Sequence, residues 1–315
     1  MTASTQDKSS ELPLLVRVAI PHFCRIAEAD GEGYGYGSSR PDAALFRVAA
    51  LSRCLGGVLS LARGLDEEIL GIAEANVLQA PRVECSAFRA AGIVIDCHVF
   101  VCGDDYLADA LLAFEYRVTV HQVDLEDPRR LPFAARDFLL NDDAAGTADL
   151  SLYLEDDLVI QDRLYLDKML WFLRETKHQF ALMPHRYELT GNHLSPRLFV
   201  DGPVNIAALP DHQKPAEQVA SGQFDGGSVV HFDVASNPHS GSFCCSALQR
   251  QQLLLLGVAD EGFIGPLETV ATFTVLQHLP VMKPTWLNRD FLLVEHAHPS
   301  FLAARHAFRK SSLNH

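Results

Sequence analysis

The sequence lacks any apolar run long enough to cross a membrane and any excess of positive charge. Uninterrupted apolar stretches such as 253–259 fall well short of the ~20 residues that a membrane-spanning helix needs. Lys and Arg number 26 against 40 Asp and Glu, a formal net charge of −14, so nucleic acid is not an expected partner. The opening residues MTASTQDKSS lack the basic start and apolar core of a secretory signal. We therefore expect residues 1–13 to be a disordered tail of a cytoplasmic protein.

Cysteine is present, but without the spacing of a zinc site. The seven cysteines are scattered and odd in number, and no C-x-x-C pair occurs. They are expected to be reduced and mostly buried thiols. The 315 residues, of which 48% are hydrophobic and 21% charged, have the composition of an ordinary globular protein with a substantial core.

Strand-like and helix-like segments alternate through the first 185 residues. The apolar run 14–20 predicts a buried strand, the glycine-tyrosine segment 28–41 a loop, and 42–63 a helix. Further strands are predicted at 91–102, 117–123, 150–154 and 180–184, with helices at 106–114, 133–140 and 163–177. This alternation predicts an α/β fold with a mostly parallel sheet flanked by helices. Ligands are then expected beyond the carboxyl ends of the strands.

The second half of the chain has a different pattern. After residue 186 prolines, glycines and histidines become more frequent and the predicted strands, such as 228–232, are short. Helices return at 246–256 and 266–278, followed by a strand-like segment at 281–287. We expect 186–315 to be a loop-rich half of the same domain as 14–185.

Three carboxylates end one of the predicted buried strands, in the segment LYLEDDL. In an extended chain Glu155 and Asp157 face one side and Asp156 faces the other, so one segment can bind a hard cation and a second group. A divalent ion held by few protein carboxylates fills its shell with phosphate oxygens and water. The alternative is a solvated acidic strand end that caps the next helix.

This segment is similar to the EDD form of the D-x-D motif in the N-acetylglucosaminyltransferase I family, and the order of elements resembles a GT-A-fold glycosyltransferase. The resemblance implies a Rossmann-like GT-A domain, a nucleotide-sugar donor, a hydroxyl acceptor such as a glycan, and Mn²⁺ or Mg²⁺. It implies a hexosyl- or N-acetylhexosaminyl-transferase in which Asp157 binds the metal while Glu155 and Asp156 contact the ribose or base. In this scheme 14–185 binds the donor and 186–315 the acceptor.

Two segments near the start of the chain resemble donor-binding parts of that family. The residues after the first strand, Pro21, His22 and Phe23, resemble the loop that holds the nucleotide base. Arg40 lies in the next loop, where a guanidinium can meet phosphate. The alternatives are a surface histidine and a solvated arginine near a helix start.

Two segments in the second half match further parts of the family. The turn NPHSGSF, with Ser240 and Gly241, has exposed N–H groups for sugar hydroxyls or phosphate, and the family places a comparable segment against the donor sugar. In inverting enzymes of this type an Asp or Glu at a comparable point of the chain is the general base that deprotonates the acceptor hydroxyl. Glu268 is the candidate for this role. A helix cap and a dipole-complementing surface glutamate are the respective alternatives.

Two histidines end the last strand-like segment, FLLVEHAH. His296 and His298 share a face of an extended chain, and some GT-A enzymes supply a C-terminal histidine to the metal. Imidazole binds manganese more readily than it binds calcium or magnesium. An exposed strand face is the alternative for each.

A second class of enzyme competes for some of the same residues. His231 and Asp233 form an H-x-D pair, His296 follows 65 residues after His231, and Arg305 comes nine later. Iron(II)- and 2-oxoglutarate-dependent oxygenases use such a set, but the β/α alternation does not fit their double-stranded β-helix. A non-catalytic carbohydrate-binding protein on the same fold is a third possibility.

Overall fold

The computed structural model describes residues 12–26, 38–39, 44–81, 88–141, 148–205, 209–262, 265–302 and 305. The predicted tail falls almost wholly outside these residues, as do most of the glycine-tyrosine segment and Arg40.

A five-stranded sheet forms the centre of the molecule, in the order β15-β8-β1-β6-β7. Four of its strands run parallel: β1 (Leu14–Pro21), β6 (Ile93–Cys102), β7 (Val118–Val123) and β8 (Leu150–Leu154). The fifth, β15 (Ser242–Ser246), pairs with β8 in the antiparallel direction. The α/β fold class with a mostly parallel sheet flanked by helices is confirmed, and β1 and β8 end side by side.

Helices cover both faces of this sheet. They are α1 (Ala44–Leu59), α2 (Ala108–Leu112), α3 (Leu131–Leu140), α4 (Tyr165–Glu175) and α5 (Ala247–Leu256). A further helical segment consists of α6 (Pro266–Glu268), a π-helical turn (Thr269–Phe273) and α7 (Thr274–Leu276). Short 3₁₀ segments occupy Pro128–Arg130 and Trp286–Phe291.

The alternation of β1 assigns its side chains to two separate cores. Val16, Val18 and Ile20 pack with α1 and α4 on one face, whereas Ala19 packs with α3 and α7 on the other. Since side chains alternate along a strand and both faces are covered, nearly every residue of β1 is apolar. The exception is Arg17, which donates from Nε to Asp96 Oδ2 at 2.8 Å.

Two four-stranded sheets adjoin the central one. The first has the order β10-β16-β14-β13 and contains β10 (Ala181–Leu182), β13 (Ala216–Gln223), β14 (Val229–Val234) and β16 (Val281–Pro284). The second has the order β12-β11-β17-β9 and contains β9 (Leu158–Val159), β11 (His185–Leu189), β12 (Arg197–Phe199) and β17 (Leu293–His296). Strand β9 comes directly after the acidic segment and so joins it to β17.

Two small pairs of strands were not predicted. They are β2 (Arg25–Ile26) with β3 (Ser38–Ser39), and the hairpin β4 (Glu68–Gly71) with β5 (Asn76–Gln79). The hairpin is exposed along almost its whole length, so no apolar alternation in the sequence marks it.

Six cysteines lie within the described residues, and all six are buried and free. This agrees with the predicted thiols; Cys85 lies outside the described residues. None of the helices that the structure describes is both long and apolar enough to cross a membrane.

Adjacent glycines on α1 give a matched test of how closely the helix approaches β9. A Cβ added at Gly57 would lie 2.7 Å from the backbone oxygen of Ile160, whereas one at Gly56 meets nothing within 4 Å. We expect Gly57→Ala to lower the free energy of unfolding by about 1–3 kcal/mol, because backbone must shift. Gly56→Ala should be neutral or stabilising by up to about 1 kcal/mol through helix propensity. Urea unfolding of both variants measures the difference, and equal stabilities would refute this close packing.

Candidate functional site

The carboxyl ends of β1 and β8 place the predicted base-binding loop beside the acidic triplet. Because the two strands are parallel neighbours, residues 22–24 and 155–157 lie side by side. Strand β8 ends at Leu154, and the next residues form a turn in which the Leu158 N–H donates to the Glu155 carbonyl at 3.1 Å. The expectation of an extended chain with alternating carboxylates is therefore wrong, since a turn replaces the strand.

Asp156 is held by two side chains from different parts of the fold. His22 Nδ1 lies 2.5 Å from Asp156 Oδ2, and Arg47 Nη2 donates to the same oxygen at 2.9 Å. Burial alone would raise the pKa of Asp156, but the charge of Arg47 and the bond from His22 outweigh it, so the pKa is lowered. Asp156 is therefore an anion in the folded protein.

The hydrogen bonds of His22 fix its tautomer. The backbone N–H of Leu107 donates to His22 Nε2 at 3.1 Å, which requires a lone pair on that nitrogen. The ring proton then lies on Nδ1 and is donated to Asp156. His22 is completely buried, so the alternative of a surface histidine is excluded. It orients Asp156 and does not face solvent.

Arg47 lies between the last two carboxylates of the triplet. Its Nη1 is 3.8 Å from Asp157 Oδ2, while its Nη2 is bonded to Asp156. Only 13% of the Arg47 side chain is exposed, and the neighbouring charge of Asp156 raises its pKa. A guanidinium in this position can offer N–H groups to phosphate oxygens.

Asp157 faces a histidine that is oriented from behind by a second carboxylate. His296 Nε2 is 3.4 Å from Asp157 Oδ2, and His296 Nδ1 is bonded to Glu188 Oε1 at 2.9 Å. Burial lowers the pKa of His296, but Asp157 and Glu188 outweigh it, so the pKa is raised. A histidine with one nitrogen bonded to a carboxylate and the other directed at an acidic side chain has the arrangement of a metal ligand.

Strand pairing explains why the end of the chain reaches this site. His296 is opposite Leu158 in the antiparallel pair of β17 and β9, and the Ala297 N–H donates to the Asp157 carbonyl at 2.8 Å. On the same strand Glu295 accepts two bonds from Arg53 of α1, at 2.7 and 2.8 Å. Helix α1 and strand β17, which supply Arg47 and His296, are thereby joined directly.

The carboxyl group of Glu155 has a raised pKa. Burial, which Arg186 only partly offsets, raises its pKa to about 7. Its N–H donates to the carbonyl of Gly241 at 3.0 Å. Gly241 has φ +67°, and a Cβ there would lie 2.6 Å from Glu155 Oε2, so glycine is needed both for the backbone conformation and for the space.

These groups surround a cavity of about 270 Å³ at the edge of the sheet. Apolar side chains form one part of its wall and polar ones the other. It is lined by Pro21, Phe23, Arg47, Leu131, Glu155, Asp156, Asp157 and Leu267. An apolar wall with a few convergent charged groups is the usual composition of a small-molecule site.

His298, Glu268 and Ser240 are the other predicted site residues. His298 is half-buried and within range of the charges of Arg47 and Asp157; burial lowers its pKa. Glu268 is half-buried, follows the cavity residue Leu267, and its charge raises the pKa of Glu155. Ser240 is fully buried, and its hydroxyl donates to the Ser242 carbonyl at 3.1 Å, within its own turn.

Sequence reasoning missed Arg47 and Glu188. Arg47 continues the buried stripe of α1 that includes Leu51 and Val58, at positions i, i+4 and i+11, so a charged residue on an apolar stripe was the available signal. Glu188 is fully buried and accepts N–H bonds from residues 300–302. No local motif marks it.

The fit of a metal ion rests on two side chains. Among the described residues no three His, Cys, Asp or Glu side chains form a metal-binding group. The predicted set of Asp157, His296 and His298 is therefore not assembled as three ligands. Asp157 and His296 nevertheless approach each other beside the cavity. Two protein ligands suit an ion whose other ligands are phosphate oxygens and water.

The oxygenase set is not assembled. His231 and Asp233 lie on β14, in a different sheet from His296 on β17, and His296 is bonded to Glu188. The parallel central sheet is not a double-stranded β-helix.

Comparisons with known proteins give distant likenesses in fold. No protein-family model matches the sequence, and no curated protein matches it. The structure is similar to S. aureus TarS 1-349, with 9% identity and a TM-score of 0.41 over 86% of this chain and 58% of that one. It is also similar to a putative glucose-1-phosphate thymidylyltransferase from Bacillus anthracis in complex with a sucrose, with 9% identity and a TM-score of 0.26 over 62% of this chain and 68% of that one. Both scores are low, so function is inferred from the chain's own residues.

The raised pKa of Glu155 predicts a pH-dependent difference between wild type and Glu155→Gln. A carboxyl whose pKa rises on folding contributes stability below its unfolded pKa of 4.5, and that contribution is lost as the pH rises towards about 7. The Tm of Glu155→Gln relative to wild type should therefore increase from pH 4.5 to 7 and then level off. Thermal melts in EDTA measure it. The exposed Glu175→Gln is the control, and the same trend in both variants would contradict the burial argument.

Proposed function

We propose that the protein is a metal-dependent glycosyltransferase that moves a sugar from a nucleotide-sugar donor to an acceptor hydroxyl. The observation that carries this proposal is the convergence of Arg47, His22 and His296 on Asp156 and Asp157 beside one cavity. The carboxylates and the Arg47 guanidinium lie beyond the strand ends, the region where parallel α/β sheets bind nucleotides. The resemblance of the EDD segment to the N-acetylglucosaminyltransferase I family supports a hexosyl- or N-acetylhexosaminyl-transferase.

Asp157 and His296 would hold Mn²⁺ or Mg²⁺, with manganese favoured by the imidazole. When bound, the ion supplies Lewis-acid stabilisation of a departing diphosphate. Arg47 adds a second positive charge for the same phosphate oxygens, because its guanidinium already borders both carboxylates. His298 is a candidate further ligand.

The rest of the cavity wall is suited to the nucleotide. Pro21 and Phe23 offer an apolar surface to the base. Asp156, fixed by neutral His22, and Glu155 offer acceptor oxygens to ribose or base N–H and O–H groups. Because Gly241 has no side chain, its backbone can lie close to Glu155. The donor sugar would lie beside these two residues.

Glu268 is the proposed general base of an inverting transfer. The acceptor oxygen forms its bond to the sugar carbon while the sugar–phosphate bond breaks; the hydroxyl proton passes to Glu268, and the electron pair leaves with the diphosphate. Two observations support this role: Glu268 follows the cavity residue Leu267, and its charge acts on Glu155.

A screen of UDP- and GDP-linked sugars for donor hydrolysis, with and without Mn²⁺, tests the reaction class. We expect one donor to be turned over only with the metal. Asp157→Ala should reduce that rate about 100-fold or more, because a metal contributes several kcal/mol to stabilising the leaving group. Glu175→Ala, an exposed carboxylate elsewhere, is the matched control. No turnover of any donor, and no thermal stabilisation by one, would contradict the proposal and favour a non-catalytic protein.

Replacing Glu268 tests the base separately from the metal. With the donor found in the screen, Glu268→Gln should lower turnover about 100-fold or more, because an amide cannot accept the proton. The affinity for donor and Mn²⁺, measured by calorimetry, should not change. Full turnover by Glu268→Gln would remove it from this role.

A further inference from the structure

A second cavity, of about 370 Å³, lies in the second half of the chain, away from the acidic triplet. Strands β11, β14 and β16 and the 3₁₀ segment at Trp286–Phe291 contribute to it. Its chemically distinctive lining residues are His185, Asp201, Glu217, Asp233, Lys283 and Trp286. None of these has a role in the site described above.

His185 presents a buried acceptor that no described residue satisfies. The imidazole is 4% exposed, and its Nε2 bonds to the Pro284 carbonyl at 2.7 Å, so Nε2 carries the proton. Burial lowers its pKa to about 4, so the ring is neutral. Its Nδ1 has no hydrogen-bond partner within the described structure. Buried polar atoms are normally hydrogen-bonded, so the lone pair of this nitrogen is unsatisfied within the described structure.

Trp286 gives the cavity a half-exposed aromatic surface. Its ring packs against His185, with centroids 4.5 Å apart, and against the edge of Phe199 at 5.7 Å. Even so, 44% of Trp286 remains exposed. An indole held by two neighbouring rings and still partly exposed can pack against a ligand ring with little loss of conformational entropy.

The charges of the cavity favour a ligand without negative charge. Lys283 Nζ bonds to Asp201 Oδ2 at 2.9 Å, and Asp201 also accepts from Arg186, so this cation is already paired. Glu217 and Asp233 add two carboxylates to the lining, which would repel an anion. Carboxylate oxygens and an aromatic side chain complement a ring that has hydroxyl donors and an apolar C–H face.

We propose that this cavity binds an uncharged sugar ring of the acceptor. The assignment of this sugar to the acceptor rests on the proposed function, whereas sugar binding is inferred from the cavity itself. Asp201 lines the cavity and pairs with Arg186. The charge of Arg186 also acts on Glu155 of the donor site. The volume, near the lower end for ligand pockets, suits one ring.

The experiment is a titration with neutral sugars, namely the methyl glycosides of glucose, galactose and mannose, and N-acetylglucosamine, followed by saturation-transfer NMR. Glucosamine and glucose 6-phosphate serve as charged probes. We expect a neutral sugar to bind in the millimolar range and Trp286→Ala to weaken it by about tenfold or more. Trp286→Phe, which keeps an aromatic ring, should retain most of the affinity and shows that loss in the alanine variant is not a folding defect. Wild-type tryptophan fluorescence should change as well, since the other tryptophan, Trp171, is buried.

Each outcome of this titration either supports or overturns the cavity proposal. No binding of any neutral sugar, equal binding by Trp286→Ala, or a preference for glucose 6-phosphate would overturn the cavity proposal. Asp157→Ala should bind the neutral sugar as wild type does. Donor turnover without sugar binding would leave the proposed function standing and overturn this inference, whereas sugar binding without any donor turnover would overturn the acceptor assignment together with the proposed function.

Discussion

Compensation of the negative charge at the end of β8 is the constraint on which the site depends. Three successive carboxylates follow a fully buried strand, where isolated charges would be strongly destabilising. Arg47 and His22 stabilise Asp156, His296 lies against Asp157, and Glu155 responds to the same surroundings with a raised pKa. The chain therefore had to bring α1, the end of β1 and the end of β17 to one point, and the arrangement of the three sheets accomplishes this.

The central sheet could be predicted because its strands are marked locally. Runs such as residues 14–20 are apolar, rich in β-branched residues and bounded by proline or glycine, and burial on both faces requires that composition. The acidic segment was likewise visible because three carboxylates at the end of such a run conflict with burial. Two predicted residues that the structure brings to the acidic segment, His22 and His296, lie at the ends of strands.

The partners of these residues could not be predicted, because they depend on contacts between distant parts of the chain. Arg47 was overlooked, since only the rotation of α1 against the sheet brings it to the carboxylates. Glu188 acts on His296 from a strand 108 residues earlier. The turn at 155–158 also overrode the extended geometry expected from the strand preceding it, because backbone hydrogen bonding at the end of a strand is not encoded by apolar periodicity.

Both flanks of the acidic turn are tied to neighbouring backbone. The amide of Glu155 bonds to Gly241 on one side, and the carbonyl of Asp157 bonds to Ala297 on the other. Such double anchoring leaves little freedom for main-chain displacement on ligand entry. Adjustment to a bound ligand must instead come from torsions of long side chains, above all the three-methylene side chain of Arg47, whose guanidinium would exchange a carboxylate partner for the incoming anion.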